Sequence, residues 1–505
     1  MCFGKKHLYF FVFFDGITTF VPKFQIMSLS KLFGREQEIR ELQRCVSSDM
    51  SEFVIVYGRR RVGKTYLVDQ FFDYQYDFSF VGGHNVPMRR QLSNFAKSLK
   101  KYAHLPKRPK FEDWYDAFDA LEEYMESLDN TRRKIIFIDE MPWVDTQNSE
   151  FVEALENFWN GWAARRQDIL FIASGSASSW MVDNLVENEG GLHDRIRTNL
   201  YIRPFTLKET EEYLRSRQFS WDRYQIIQTY MAFGGIPYYL SLLNGRESLA
   251  QNIDRLFFRR NGDMRNEFDE LYNALFRNSD SYISIVKALA IHREGLTRQQ
   301  IINATKIEGG VLTKMLRNLE RCDFIISYQY FGHKAKDVIY RLIDFYTLFY
   351  YHFIIDDRSQ DEQWWSHHII SPAISSWQGF SFEVLCLLHL PQIKRALGIS
   401  GMATSASAWR IYVDKSKSQV GSQIDLIISR ADRIIHLCEI KFSTTAFHLT
   451  SAYEEKLRHR AVIFQQSTKT THSLVHTFVT TYGIANAESS GILHSQVVMD
   501  DLFSQ

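Results

Sequence analysis

The chain has 505 residues, 45% apolar and 24% charged, an ordinary globular composition with room for three or so domains at ~100–200 residues each. A formal net charge of +1 excludes a global attraction to nucleic acid, so any such contact has to come from a local patch. Five scattered cysteines (Cys2, Cys45, Cys322, Cys386, Cys438) without a C-x-x-C pair exclude a disulfide framework or a zinc site and suit a reducing cytoplasm.

Near the N-terminus, Leu8–Phe14 follows Lys5, Lys6 and His7 and faintly resembles a signal peptide. The apolar run stops at Asp15 with no small-residue cleavage site, and no stretch of ~20 apolar residues exists for a membrane span. Met27 reads as a natural start, so residues 1–29 are expected to be a mis-called extension or a disordered tail. An amphipathic helix is expected over Glu36–Val46, with Ile39, Leu42 and Val46 on one face.

Ser51–Gln70 is the most informative stretch. Phe53–Val56 reads as a buried strand, Gly58–Thr65 spells G-x-x-x-x-G-K-[ST], and Tyr66, Leu67, Phe71 and Phe72 continue at helical spacing. Strand, glycine-punctuated loop and helix form the setting of a phosphate-binding loop made of Gly58, Arg59, Arg60, Arg61, Val62, Gly63, Lys64 and Thr65. Lys64 is expected to reach the β- and γ-phosphates, and the Thr65 hydroxyl to ligate Mg²⁺. Binding of ATP with Mg²⁺ is therefore expected.

Phe78–Asn130 reads as helical and aromatic. Its basic patch (Lys100, Lys101, Lys107, Arg108, Lys110) is either a solvated face or a nucleic-acid contact. Lys134–Glu140, KIIFIDE, is a buried parallel strand ending in two carboxylates, the Walker B arrangement. Asp139 would hold Mg²⁺ and Glu140 would polarise the attacking water. The strand Ile169–Ser176 offers Ser174 as a sensor of the γ-phosphate, or simply a serine closing a core strand. In Gly191–Phe205, Arg195 is the candidate for stabilising transition-state charge, from its own chain or a neighbour in a homo-oligomer. Leu207–Leu214 reads as a helix, and Gly234–Leu240 as a helix-breaking turn near the nucleotide base.

Tyr282–Ile291, a segment capped by Thr297, and Gly310–Cys322 read as three helices. Two alternating runs, Phe324–Tyr330 and Asp337–Leu342, follow as a wing. In such a winged helix-turn-helix, Lys314, Arg317, Asn318 and Arg321 would face phosphates and bases of DNA; packing or nucleotide sensing is the other reading. Asp344–Ile370 reads as a buried connecting helix. Beyond Ser371, Glu383 lies on an apolar helix, while Asp425 and Glu439–Lys441 lie on two strands of a hairpin. Glu439 and Lys441 share a strand face. Carboxylates and a lysine converging there could hold Mg²⁺ and activate water for phosphodiester attack, against the plainer reading of a solvated edge hairpin.

GRRRVGKT, IIFIDE, ASGS, GLHDR, PFTLKETEEYL and GGIPYYL together resemble the prokaryotic and archaeal ATPase family of the AAA+/STAND group. YRLIDFYTLFYYHFI, SWQGFSFE and the D…EIK strands look like the C-terminal domain of unknown function that accompanies it, which is similar to PD-(D/E)XK restriction-endonuclease folds. The resemblance implies an α/β fold in three parts: a P-loop ATPase domain over 30–243, a helical and winged-helix region over 244–370, and a nuclease-like α/β domain over 371–505. It implies ATP and Mg²⁺ at Gly58, Gly63, Lys64, Thr65, Asp139 and Glu140. It also implies a nuclease-like set of Glu383, Asp425, Glu439 and Lys441, with metal on Glu383, Asp425 and Glu439. Asn199 replaces an expected basic residue, and the strand before Asp425 lacks the proline of the nuclease name. The reading is a Mg²⁺-dependent ATPase acting on DNA, its ATP state coupled to the terminal domain. The alternative is a STAND-type switch whose terminal domain is a catalytically dead interaction module.

Overall fold

The computed structural model describes residues 32–129, 131–176, 178–187, 191–192, 195–276, 278–332, 338–411 and 421–504. The expected N-terminal extension lies outside them, as do His193 and Asp194 of the GLHDR motif. Two compact units divide between Arg203 and Pro204. Among the described residues no helix is long and apolar enough to cross a membrane.

The first unit is built on five strands: β1 (Glu52–Tyr57), β2 (Phe78–Val81), β3 (Lys134–Asp139), β4 (Ile169–Gly175) and β5 (Thr198–Tyr201). Their order is β2-β3-β4-β1-β5 and every pairing is parallel. Helices α1 (Glu36–Val46), α2 (Lys64–Phe72), α3 (Met88–Tyr102), α4 (Trp114–Ser127) and α5 (Phe151–Gly161) complete it. The near-continuous apolar sequences of β1 and β4 suit a sheet covered on both faces, and both strands are buried along their length. Aromatic packing dominates the core, where Phe95, Trp114, Phe118, Phe158 and Phe171 interlock. Phe78–Asn130, expected to be helical, begins with strand β2; Phe78 and Phe80 are buried there, packed on Phe95. Its alternation of buried and accessible residues is too short for periodicity to separate it from a helix start.

The second unit opens with α6 (Leu207–Ser216) and α7 (Arg223–Phe233), both with reciprocal N-terminal capping boxes, from Thr206 with Glu209 and Asp222 with Gln225. Gly234 ends α7 at φ +64°, where the helix break was expected. Further on come α8 (Ser279–Ile291), β6 (Leu296–Thr297), α9 (Arg298–Thr305), α10 (Gly309–Arg321), β7 (Ile325–Gln329) and β8 (Val338–Leu342). The three strands form a small antiparallel sheet in the order β6-β8-β7. The single connecting helix expected over Asp344–Ile370 is instead broken: Phe345–Phe349 runs into a wide turn at Tyr350–Ile354, and Trp364–His368 is separate.

The remainder holds α11 (Pro372–Leu388), β9 (Thr404–Ile411), β10 (Ser422–Arg430), β11 (Ile434–Lys441), α12 (Ser451–Thr468), β12 (Ser473–Thr480) and β13 (Leu493–Val498). They form a mixed sheet in the order β13-β12-β11-β10-β9, antiparallel across β9-β10-β11 and parallel across β11-β12-β13. The expected β10–β11 hairpin is present. Its Leu426–Cys438 register places Asp425 beside Glu439.

Candidate functional site

In the first unit, β1 delivers the chain to Gly58 and α2 takes it up at Lys64, so the loop lies across the carboxyl end of the parallel sheet. Gly58 has φ +147°, and a Cβ there would sit 2.3 Å from the Ile202 carbonyl oxygen; neither condition admits a side chain. Gly63 has open space but φ +90°, a left-handed conformation at the start of α2. Arg59 and Val62 are buried, while Arg60 and Arg61 are half-buried. Arg35, at the start of α1, donates to the carbonyls of Val62 (3.2 Å) and Arg203 (2.7 Å) and so braces the loop from outside.

The Lys64 ammonium is only 5% exposed and is met by three oxygens: the carbonyls of Gly58 (3.1 Å) and Arg59 (2.9 Å) and the Ser176 hydroxyl (3.0 Å). Thr65 Oγ1 donates to Asp139 Oδ2 at 2.9 Å. Asp139 also accepts from the Ser174 hydroxyl and from the Glu140 N–H (3.0 Å). Burial pushes the Asp139 carboxyl above its ordinary value, against the stabilising Ser174 hydrogen bond. Glu140 adopts a left-handed backbone (φ 50°) that is unusual for a non-glycine residue. That turn aims its carboxylate at Ser176, whose hydroxyl donates at 2.6 Å and whose N–H donates at 3.2 Å.

These contacts unite the expected residues from three separate strand ends. Ser174 is fully buried on Asp139, whereas Ser176 bridges Lys64 and Glu140, a role the sequence did not single out. Ser174 near the end of β4 and Ser176 just after it alternate and look equivalent in sequence; only the local backbone decides which one faces the loop. Arg195 is exposed on the turn before β5 and among the described residues makes no ion pair, so the structure does not bring it into this network. The donor set fits a Mg-nucleotide: backbone N–H groups and a lysine at a helix N-terminus, with a hydroxyl and a carboxylate offering hard oxygen atoms.

In the second unit, α10 exposes Lys314 and Arg317, while Arg321 is half-buried. Asn318 departs from its expected place on a reading face: it is buried and donates to the Tyr282 hydroxyl at 2.6 Å.

The four expected residues of the terminal domain also lie near one another, and two of the three acids, Glu383 and Glu439, meet a cation. Glu439, 8% exposed, binds Lys441 (2.7 Å) through Oε1 and Arg460 (2.7 Å) through Oε2, and accepts from the Tyr453 hydroxyl. Glu383 pairs with Arg341 of β8 at 3.5 Å. Burial and the neighbouring Asp425 charge raise Glu383 to about 7, and burial raises Asp425 while Arg341 opposes the rise. Among the described residues, no three histidine, cysteine, aspartate or glutamate side chains are grouped to hold a metal ion. Of the expected metal set of Glu383, Asp425 and Glu439, Glu383 and Glu439 are met by guanidinium and ammonium groups in place of a metal ion.

Residues 32–243 match a family of ATPase domains predominantly from Archaea. The chain is also similar to an uncharacterized protein of Methanocaldococcus jannaschii, 25% identical over 366 residues, covering 72% of this chain and 77% of that protein. Among solved structures, a Walker-type ATPase of Pyrococcus abyssi matches at 18% identity with a TM-score of 0.46, covering 64% of this chain and 97% of its own. The ORC2 protein of Aeropyrum pernix matches at 15% identity with a TM-score of 0.39, covering 63% and 93%. The five-stranded parallel sheet of the first unit lies within the matched residues 32–243.

Proposed function

We propose that this protein is a Mg²⁺-dependent ATPase that acts on DNA, its nucleotide state coupled to a nuclease-like C-terminal domain over 371–505. The observation that carries the ATPase reading is the Lys64–Ser176–Glu140 chain beside the Thr65–Asp139 pair. ATP with Mg²⁺ would supply the transferable phosphoryl group and the charge neutralisation that its transfer requires. Lys64 exchanges the Gly58 and Arg59 carbonyls for phosphate oxygens, and the loop N–H groups surround the same anion. Thr65 and Asp139 offer oxygen ligands to the cation. Glu140 accepts a hydrogen bond from the attacking water and orients it, with Ser176 fixing its carboxylate.

The DNA reading rests on three helices followed by an antiparallel wing, with Lys314 and Arg317 exposed on the third helix. It is tested by ATP turnover with and without duplex DNA across a salt series. Turnover stimulated by DNA, with binding that weakens steeply in salt, is expected; DNA-independent turnover would refute it.

One observation favours the second reading, a nucleotide-dependent switch whose nuclease-like domain does not cut: Glu383 and Glu439 are compensated by Arg341, Lys441 and Arg460. Plasmid cleavage in Mg²⁺ or Mn²⁺, lost in Glu439→Ala, would support a cutting domain; no cleavage with ATP still bound would support the switch.

A further inference from the structure

A cavity of about 380 Å³ in the second unit is lined by Arg341 of β8, Glu383 of α11 and Asp425 of β10, with Tyr328 and Phe380 at its wall. Arg341 is 4% exposed, and its Nε has no hydrogen-bond partner. The same guanidinium contacts Glu383 at 3.5 Å and lies 5.1 Å from the centre of the Phe380 ring. A buried arginine reaching from a different sheet into a pair of acids, with donor capacity left over, is not spent on packing that sheet.

We infer that Arg341 is the resident counter-cation of the Glu383–Asp425 pair, held in the place a divalent metal ion would take. Two half-buried carboxylates lining one cavity repel, and a compensating charge lets both stay ionised there. The sequence fills that need from the wing strand, so the cavity as folded excludes Mg²⁺ or Mn²⁺ by charge and by occupancy. Arg293 and Arg410 also line the cavity, but Arg410 is paired with Glu294 at 3.1 Å and Arg293 lies on Phe380 and His352. Loss of the Arg341 guanidinium therefore leaves the two acids beside an aqueous opening without their own counter-cation, which are the conditions for divalent metal uptake. Lys441 and Arg460 do not substitute, since both already bind Glu439. This inference is independent of the ATP reading, because none of its residues belongs to the phosphate loop.

The test is a Mn²⁺ titration of the nucleotide-free full chain, followed by the electron paramagnetic resonance signal of free Mn²⁺. Wild type and Asp425→Asn should give coincident isotherms. Arg341→Met should gain one site at least tenfold tighter than any in wild type, and Arg341→Met/Asp425→Asn should lose it. An Asp425-dependent Mn²⁺ site in wild type, or no gain in folded Arg341→Met, would overturn the inference. If Arg341→Met does not fold, Glu383→Gln/Asp425→Asn in the same chain should restore folding, read as recovery of a cooperative thermal transition. Absence of that rescue would equally overturn it. ATP binding, measured separately, should be unchanged in every one of these variants.

Discussion

Ser176 is the residue on which the hydrolytic geometry turns, because its hydroxyl touches both Lys64 and Glu140. Ser176→Ala should leave ATP binding within a few-fold of wild type and lower kcat by roughly tenfold or more, as expected when a water-orienting carboxylate loses its support. Single-turnover hydrolysis beside a nucleotide-binding titration separates the two effects. Ser174→Ala acts differently. It removes a donor from the buried Asp139 carboxylate, so the expected loss is one of stability, about 1–3 kcal/mol in a denaturant titration. The contrast also shows what a linear sequence carries. Lys64, Thr65, Asp139 and Glu140 were legible because their spacing and flanking strands dictate their positions. Ser176 was not, because its place depends on the turn after β4 and on the left-handed backbone of Glu140.

At the level of elements, α6 begins in a buried position where a helix N–H lacks an intrahelical partner. His389 supplies the acceptor: its Nε2 takes the Leu207 N–H at 3.2 Å while its Nδ1 faces the Leu385 carbonyl at 2.9 Å. Burial lowers this imidazole to about 4. The neutral ring is the folded form, so its contribution is complete above the unfolded value near 6.5 and is lost as pH falls toward 4. His352 and His476 are also lowered to about 4 by burial and add in the same direction. The melting temperature should therefore fall steadily between pH 6.5 and 4. His389→Phe should be less stable at pH 7.5 by about 1–3 kcal/mol for the orphaned N–H, with a shallower acid slope. An unchanged slope would contradict the assignment.

Helix α10 makes a second element-scale case. Asn318 faces Tyr282 inside the unit, so Asn318→Ala should lower stability, whereas Arg317→Ala should leave the melting temperature unchanged. If α10 meets phosphates, Arg317→Ala weakens DNA binding uniformly across sequences and reduces the salt slope by about 1. Helix periodicity made α8 and α10 legible, but polarity alone placed Asn318 on the outside. Its burial is satisfied by a tyrosine 36 positions away, which no local pattern announces. Strand β9 was missed for a related reason: Thr404–Ile411 is accessible over its first half and gains its structure by pairing with β10.

For the molecule as a whole, two sites of opposite character coexist in one chain. In the first unit a cation, Lys64, is held by neutral oxygens that a polyphosphate can displace. In the second, Glu383 and Glu439 are already paired with arginine and lysine. The features that suit nucleotide chemistry therefore lie in the first unit. The most direct test is ATP binding and hydrolysis by wild type, Lys64→Ala and Glu140→Gln in Mg²⁺. The account predicts that wild type binds and hydrolyses ATP, that Lys64→Ala does neither, and that Glu140→Gln binds with wild-type affinity while turnover falls at least a hundredfold. Hydrolysis by Glu140→Gln at the wild-type rate, or ATP bound equally well without Lys64, would contradict it.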